Sequence, residues 1–308
     1  MSIITSATSD QYRGVLYGLA LGDGIGAKYE GGPLERLLWW FLSQSKLGKL
    51  RYSDDTLMAI NLANSFLEMG RIDQESLAKE FAKSYQWQRG YGPASAELLK
   101  RIRNGKSWKS EVRRVFKSGS YGNGAAMRAP VIALFKPNDL DDLLDMTSKA
   151  SEVTHAHPLA VEGAKLIAAA TYFALQSLSS KELLTRLVGI VESHEFRRKL
   201  QAVDELLLQK NIAETCDIRK RLGNNMTALN SCGTAIYLGL AYRARPILDM
   251  IDTACALRGD TDTIAAMAGA IWGACNGATK IESDLLDKLE ASKQLEGLAN
   301  SLVDQSRQ

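Results

Sequence analysis

Gly14, Gly18, Gly22 and Gly26 recur at every fourth residue, and Gly269, Gly273 and Gly277 repeat the spacing far down the chain beside Ala266, Ala270 and Ala274. A glycine inside a helix costs about 1 kcal/mol relative to alanine. A stripe of them on one face therefore needs a physical reason. Close backbone approach supplies it, because a helix without side chains along one stripe can lie nearly against another. The spacing predicts two central helices, tightly packed and in mutual contact.

The rest of the chain also reads as helix. No run of alternating apolar and polar residues sits between turn signals. Residues 54–69 place Leu57, Ile60, Ala63 and Leu67 on one face. Residues 159–177, 181–193 and 195–209 carry three- and four-residue apolar spacing in segments rich in Ala, Leu, Glu and Lys. The segments 31–48, 119–124, 137–142 and 209–225 read as connections, and none is long enough to force a domain split. The expectation is an all-α, compact helical bundle, with residues 1–308 as one domain.

At 308 residues a chain buries about three quarters of the surface it exposes unfolded. Such a core needs neither disulfides nor a structural metal, so a metal here would serve chemistry. The charge, 38 basic against 35 acidic residues, argues against a nucleic-acid binder. Residues 1–13 lack the basic start and apolar core of a secretory signal. The most apolar stretch, 264–275, is too short to span a bilayer. Cys216, Cys232, Cys255 and Cys275 show no CxxC spacing and read as reduced, buried thiols of a cytoplasmic protein. A monomer without nucleic-acid or membrane partners is expected.

Two acidic clusters carry the chemistry: Ser53-Asp54-Asp55-Thr56 and Gly259-Asp260-Thr261-Asp262-Thr263. Each opens a helical segment. The helix dipole favours one carboxylate at such a place, but adjacent carboxylates repel. A hard divalent cation resolves the repulsion by taking oxygen ligands. Ser53, Thr56 and Thr263 add hydroxyl oxygens to the set. With Glu30 there are five carboxylates, too many for one Mg²⁺ and suited to two ions.

Gly119-Ser120-Tyr121-Gly122-Asn123-Gly124 is glycine-rich enough to turn backbone N–H groups toward an anion. A helix start near Ala125 would add its dipole. Tyr121 offers a ring for stacking on a base. A surface turn explains the same residues. Thr154-His155-Ala156-His157 places two of three histidines two apart, on different helix faces, which disfavours a shared metal. A ligand contact from one of them and a buried or capping histidine both fit. His194 reads as a surface residue. Gly22-Asp23-Gly24-Ile25-Gly26 imitates a nucleotide loop, but its spacing belongs to the packed helix.

Taken in order, Gly18 to Gly26 with Glu30, Ser53 to Thr56, Gly122 to Arg128, Thr154-His155 and Gly259 to Thr263 resemble the ADP-ribosylglycohydrolase family. The likeness spans about residues 14–278. It implies an all-α fold with a dinuclear Mg²⁺ or Mn²⁺ centre that removes ADP-ribose from modified proteins or small molecules. By resemblance, Ser53, Asp54, Asp55, Asp260, Asp262, Thr263 and Glu30 are metal ligands. Glu30, which resembles the gating acid of the serine-linked branch, and Asp55 are the candidates for proton transfer. Gly119, Ser120, Tyr121, Gly122 and Asn123 resemble the loop around the diphosphate and adenosine, with His155 beside the ribose or phosphates and Phe116 beside adenine. Ser53 stands where the family usually has Thr. Arg258 stands where a small residue is common and would narrow the mouth. The serine-linked reaction is favoured. An arginine-specific or small-molecule hydrolase and a non-catalytic ADP-ribose-binding module are the alternatives.

Overall fold

A computed structural model describes residues 7–30, 48–135 and 139–306. The connection expected over 31–48 lies almost wholly outside the described residues, as does the start of that over 137–142. The described residues hold α- and 3-10 helices and no strand, only two isolated β-bridges.

The two glycine helices are real and they touch. Ser9–Gly26 and Thr261–Asn276 lie against each other along their stripes. A methyl group added at Gly14, Gly18 or Gly22 would lie under 3.0 Å from the backbone of Gly273, Gly269 or Ala265 in turn. Gly277 does something else. It follows the last helical residue with φ +77, where only glycine turns without strain. Side chains then close the outer faces of the pair. Pro158–Leu175, Ala228–Ala241 and Ile247–Leu257 pack on the second glycine helix, and Ser292–Gln305 packs on the first. Every residue from Thr261 to Ala274 is buried.

Helix ends follow local capping chemistry. The predicted 54–69 helix is Asp54–Met69, capped by the Ser53 hydroxyl on the Asp55 N–H and ended by left-handed Gly70. The helices predicted over 159–177, 181–193 and 195–209 are Pro158–Leu175, Ser180–Ile190 and His194–Leu207. His157, Ser179 and Ser193 cap them.

Several expectations need correction. The segment 209–225 is not a plain linker, because Thr215–Arg221 is a short helix that buries Ile218. The helix Leu140–Glu152 begins inside the expected 137–142 loop, capped by Asp139. No α-helix starts near Ala125. The chain turns there and becomes a 3-10 helix, Ala129–Phe135. Pro130 has no N–H to reach the Ala126 carbonyl, which accepts from Ala129 at 3.1 Å instead. Cys216 is exposed and Cys275 only partly buried, although all four thiols are free as expected. One helix, Pro158–Leu175, has the length and apolarity of a membrane span, yet 67% of that window is buried within the protein. It is a core helix.

Candidate active site

The glycine ladder ends at the acidic cluster. A methyl group at Gly26 would stand 2.6 Å from the Asp262 Cα, and the Thr261 hydroxyl donates to the Gly26 carbonyl at 2.8 Å. The chain then makes one 3-10 turn, Ala27–Tyr29, and delivers Glu30. Asp260 stands at the N-cap position of the Thr261–Asn276 helix without a capping bond from its side chain, and Asp262 lies in the first turn. Asp54 and Asp55 form the first turn of Asp54–Met69. Three chain ends thus bring five carboxylates to the wall of one cavity of about 280 Å³.

The electrostatics of the cluster are unfavourable as it stands. Burial pushes the carboxyls of Asp54, Asp55 and Asp262 well above the ordinary aspartate value, and their negative neighbours push them further. Burial raises Asp260 to about 6, while hydrogen bonds from Asn123 and Thr263 pull the other way. Among the described residues, Asp55 Oδ2 and Asp262 Oδ1 are buried and accept no hydrogen bond. Oxygen atoms of Glu30, Asp260 and Asp262 lie within 4.8 Å of one another. Clustered, mutually repelling carboxylates with orphaned oxygens on Asp55 and Asp262 are a donor set that a hard divalent cation satisfies. The residues present fit such an ion.

Ser53 is fully buried and lies behind the cluster. Its N–H donates to Asp23, and its hydroxyl accepts from Asp55, which leaves a lone pair for another partner. Thr263 and Asn123 do line the cavity. The Asn123 amide donates both to an Asp260 oxygen and to the Ser231 hydroxyl.

Besides the acids, Ser120, Gly122, Asn123, Gly124, Phe116 and His155 line the cavity. Part of the loop backbone is engaged within the protein. The N–H groups of Gly119, Gly122 and Asn123 donate to the Phe116 carbonyl, the Ser120 hydroxyl and the Met226 carbonyl. Gly119 and Tyr121 do not line the cavity. Tyr121 is half-exposed, with its ring 3.6 Å from that of His157. The two histidines diverge as their spacing implied: His157 caps a helix, while His155 is buried at the cavity. His194 is exposed. Arg258 is exposed and stands outside the cavity wall, so it does not narrow the mouth.

Two groups of residues escaped the sequence reading. The first is Asp23, fully buried within a glycine helix and holding the Ser53 to Thr56 turn. An acid in so apolar a helix was the available signal. The second is an apolar wall of Met58, Leu99, Met127 and the Gly90–Pro93 turn. Arg89 ties that turn in place through the Tyr52 carbonyl at 2.6 Å and Glu290 at 2.7 Å. No local pattern marks these residues, because four separate segments form the wall.

Comparison with known proteins identifies a helical glycohydrolase. The model of the ADP-ribosylglycohydrolase family matches residues 5–308, and the chain belongs to that family. It is 33% identical to ADP-ribosylhydrolase ARH3 of Gallus gallus, over 95% of this chain and 92% of that protein. The ARH3 of Homo sapiens is 32% identical over the same shares. A solved structure, the ADP-ribosylglycohydrolase-related protein complex, superposes with a TM-score of 0.72 at 24% identity, covering 97% of this chain and 98% of its own. That last likeness concerns the fold.

Proposed function

We propose that this enzyme is a divalent-metal-dependent ADP-ribosylhydrolase that cleaves at the anomeric carbon of the distal ribose. It releases ADP-ribose from modified protein side chains, serine-linked ones in preference. The observation that carries the proposal is a five-carboxylate cluster, with orphaned oxygens on Asp55 and Asp262, in a cavity whose remaining lining is apolar and hydroxyl-bearing. The likeness to ARH3 proteins across nearly the whole chain supports the substrate class.

Asp54, Asp55, Asp260, Asp262 and Glu30, with the hydroxyls of Ser53 and Thr263, would hold two Mg²⁺ or Mn²⁺ ions. Such ions supply Lewis acidity toward water and the ribose hydroxyls. Asn123 orients Asp260 by donating to it. Glu30 and Asp55 are the candidates to take a proton from water or give one to the leaving oxygen. Met58, Leu99 and Phe116 exclude water and offer an apolar face to adenine. Ser120, Gly122 and Asn123 face the diphosphate and its ribose, with Gly119 shaping the loop and Tyr121 at its rim. The chain works as a single domain and a monomer. Its four free thiols fit a reducing, cytoplasmic compartment.

Serine- and arginine-ADP-ribosylated peptides incubated separately with Mg²⁺, Mn²⁺ or EDTA test this reading. Metal-dependent ADP-ribose release from the serine peptide is expected. Release from arginine alone would overturn the linkage. No release from either, with ADP-ribose still bound, would reduce the site to a binding module.

A further inference from the structure

The N–H groups of Gly119, Gly122 and Asn123 are engaged within the protein, which makes side chains a second source of donors at this wall. His155 is the buried candidate. Its ring lies against the loop backbone: a methyl group at Gly124 would fall 2.8 Å from Nε2, and one at Gly122 would fall 3.2 Å from it. Nε2 therefore faces the two glycines that line the cavity.

The other ring nitrogen is spoken for. Nδ1 lies 2.8 Å from the Thr154 hydroxyl oxygen, in a fully buried pair. That same oxygen accepts from Arg128 Nη2 at 2.9 Å. A guanidinium only donates. The Thr154 oxygen keeps a second lone pair, but among the described residues its proton has no acceptor other than Nδ1, so donation from Thr154 to Nδ1 is the arrangement that satisfies both groups. Arg128 is itself fixed. Nη1 donates to the Gly124 carbonyl at 2.7 Å, Nη2 donates to the Ala150 carbonyl at 2.9 Å, and the guanidinium lies 4.8 Å from the centre of the Phe81 ring.

We infer that Arg128 and Thr154 are positioning residues that lock His155 as the Nε2–H tautomer, so that it presents a neutral hydrogen-bond donor to an acceptor oxygen of the bound ADP-ribose unit. This rests on the reading of the cavity as an ADP-ribose site. Burial and the Arg128 charge lower the His155 pKa to about 3, so the ring is uncharged at neutral pH. Burial lowers Arg128 to about 9, which leaves it charged there. The relay places Arg128 of the Gly122-to-Arg128 block and both residues of the Thr154-His155 block in one hydrogen-bonded chain. It gives Arg128, which does not line the cavity, a reason to be there.

With only three histidines, the imidazole nitrogens are resolvable by ¹⁵N NMR of the whole protein. At pH 7 and without ligand, wild-type His155 is expected as the Nε2–H form alone. Thr154→Val is expected to populate the Nδ1–H form and to weaken ADP-ribose binding by about tenfold, the usual scale for a buried hydrogen bond left unmade. Thr154→Ser is expected to restore both to near wild type. An Nδ1–H or doubly protonated ring in the wild type overturns the inference, as does a Thr154→Val protein that keeps the Nε2–H form and full affinity. The wild-type spectrum decides the tautomer even where the valine variant does not fold. Failure of the wild type to bind ADP-ribose would sink the reading of the cavity instead and leave the tautomer result standing.

Discussion

Asp23 Oδ2 accepts both the backbone N–H of Thr56, at 3.0 Å, and its hydroxyl, at 2.6 Å. The two Asp23 oxygens also accept from the Ser53 N–H at 2.8 and 3.0 Å. One buried side chain of the first glycine helix therefore folds the turn that presents Asp54 and Asp55. Asp23→Ala strands three buried donors, each worth about 1–3 kcal/mol when left unmade. The expected loss of stability is about 3 kcal/mol or more, read by urea unfolding. A loss under about 1 kcal/mol would show that the turn holds itself.

The glycine stripe makes a sharper mechanical prediction. Gly18→Ala drives a methyl group into the Gly269 carbonyl, so the helices must separate or the chain must not fold. We expect at least about 3 kcal/mol of destabilisation, at the upper end for overpacking. Gly297→Ala, in the outer Ser292–Gln305 helix, meets nothing within 4 Å. It is expected to stabilise by about 0.5–1 kcal/mol. Equal effects of the two substitutions in thermal unfolding would refute the account of the stripe.

What the sequence made legible follows from how each signal is encoded. The glycine stripe and the Asp-rich helix starts are periodic or local, so their positions could be read directly. Asp23 was visible as a residue but not as a scaffold, because its partners are about thirty positions away. The same distance hid the wall formed by Met58, Leu99 and Met127. In the loop 119–124 the sequence showed room without showing its occupant. The glycines do admit close approach, but what approaches at Gly124 is the His155 ring, and Met226 takes the Asn123 N–H. Composition reveals that room is needed and not what fills it. Likewise Pro130 was a plain stop signal against a helix at Ala125.

Asn123 connects the loop to the acids, since its amide donates to Asp260 and to Ser231. Removing a group that orients a ligand side chain typically weakens metal affinity 10–100-fold. Asn123→Ala is expected to weaken Mn²⁺ binding on that scale, by calorimetry, with little change in folding. Asn123→Asp adds a like charge beside Asp260 and is expected to lower the melting temperature of the metal-free protein as well. Unchanged affinity in both variants would remove Asn123 from the support of the cluster.

The carboxylates themselves set the sign of the pH response. Asp54, Asp55 and Asp262 are raised in the folded protein by burial first and by neighbouring charge second, and Asp260 is raised to about 6. Unfolded, they titrate near 3.8. Below that value both states are protonated and the cluster costs nothing. As the pH rises past it, the unfolded chain releases its protons first, so the metal-free fold loses stability. The loss continues through about pH 6 for Asp260 and further for the others. EDTA-treated protein should therefore melt at a lower temperature at pH 8 than at pH 5. Mg²⁺ or Mn²⁺ should recover the difference at pH 8, because an ion that binds only the folded state stabilises it. Asp262→Asn removes one charge and leaves the fold intact. It should flatten the pH response of the metal-free protein, abolish rescue by metal and abolish turnover. A metal-free melting temperature that instead rises from pH 5 to pH 8 would mean that these carboxylates are paired in the folded chain, and the case for a cation between them would fall.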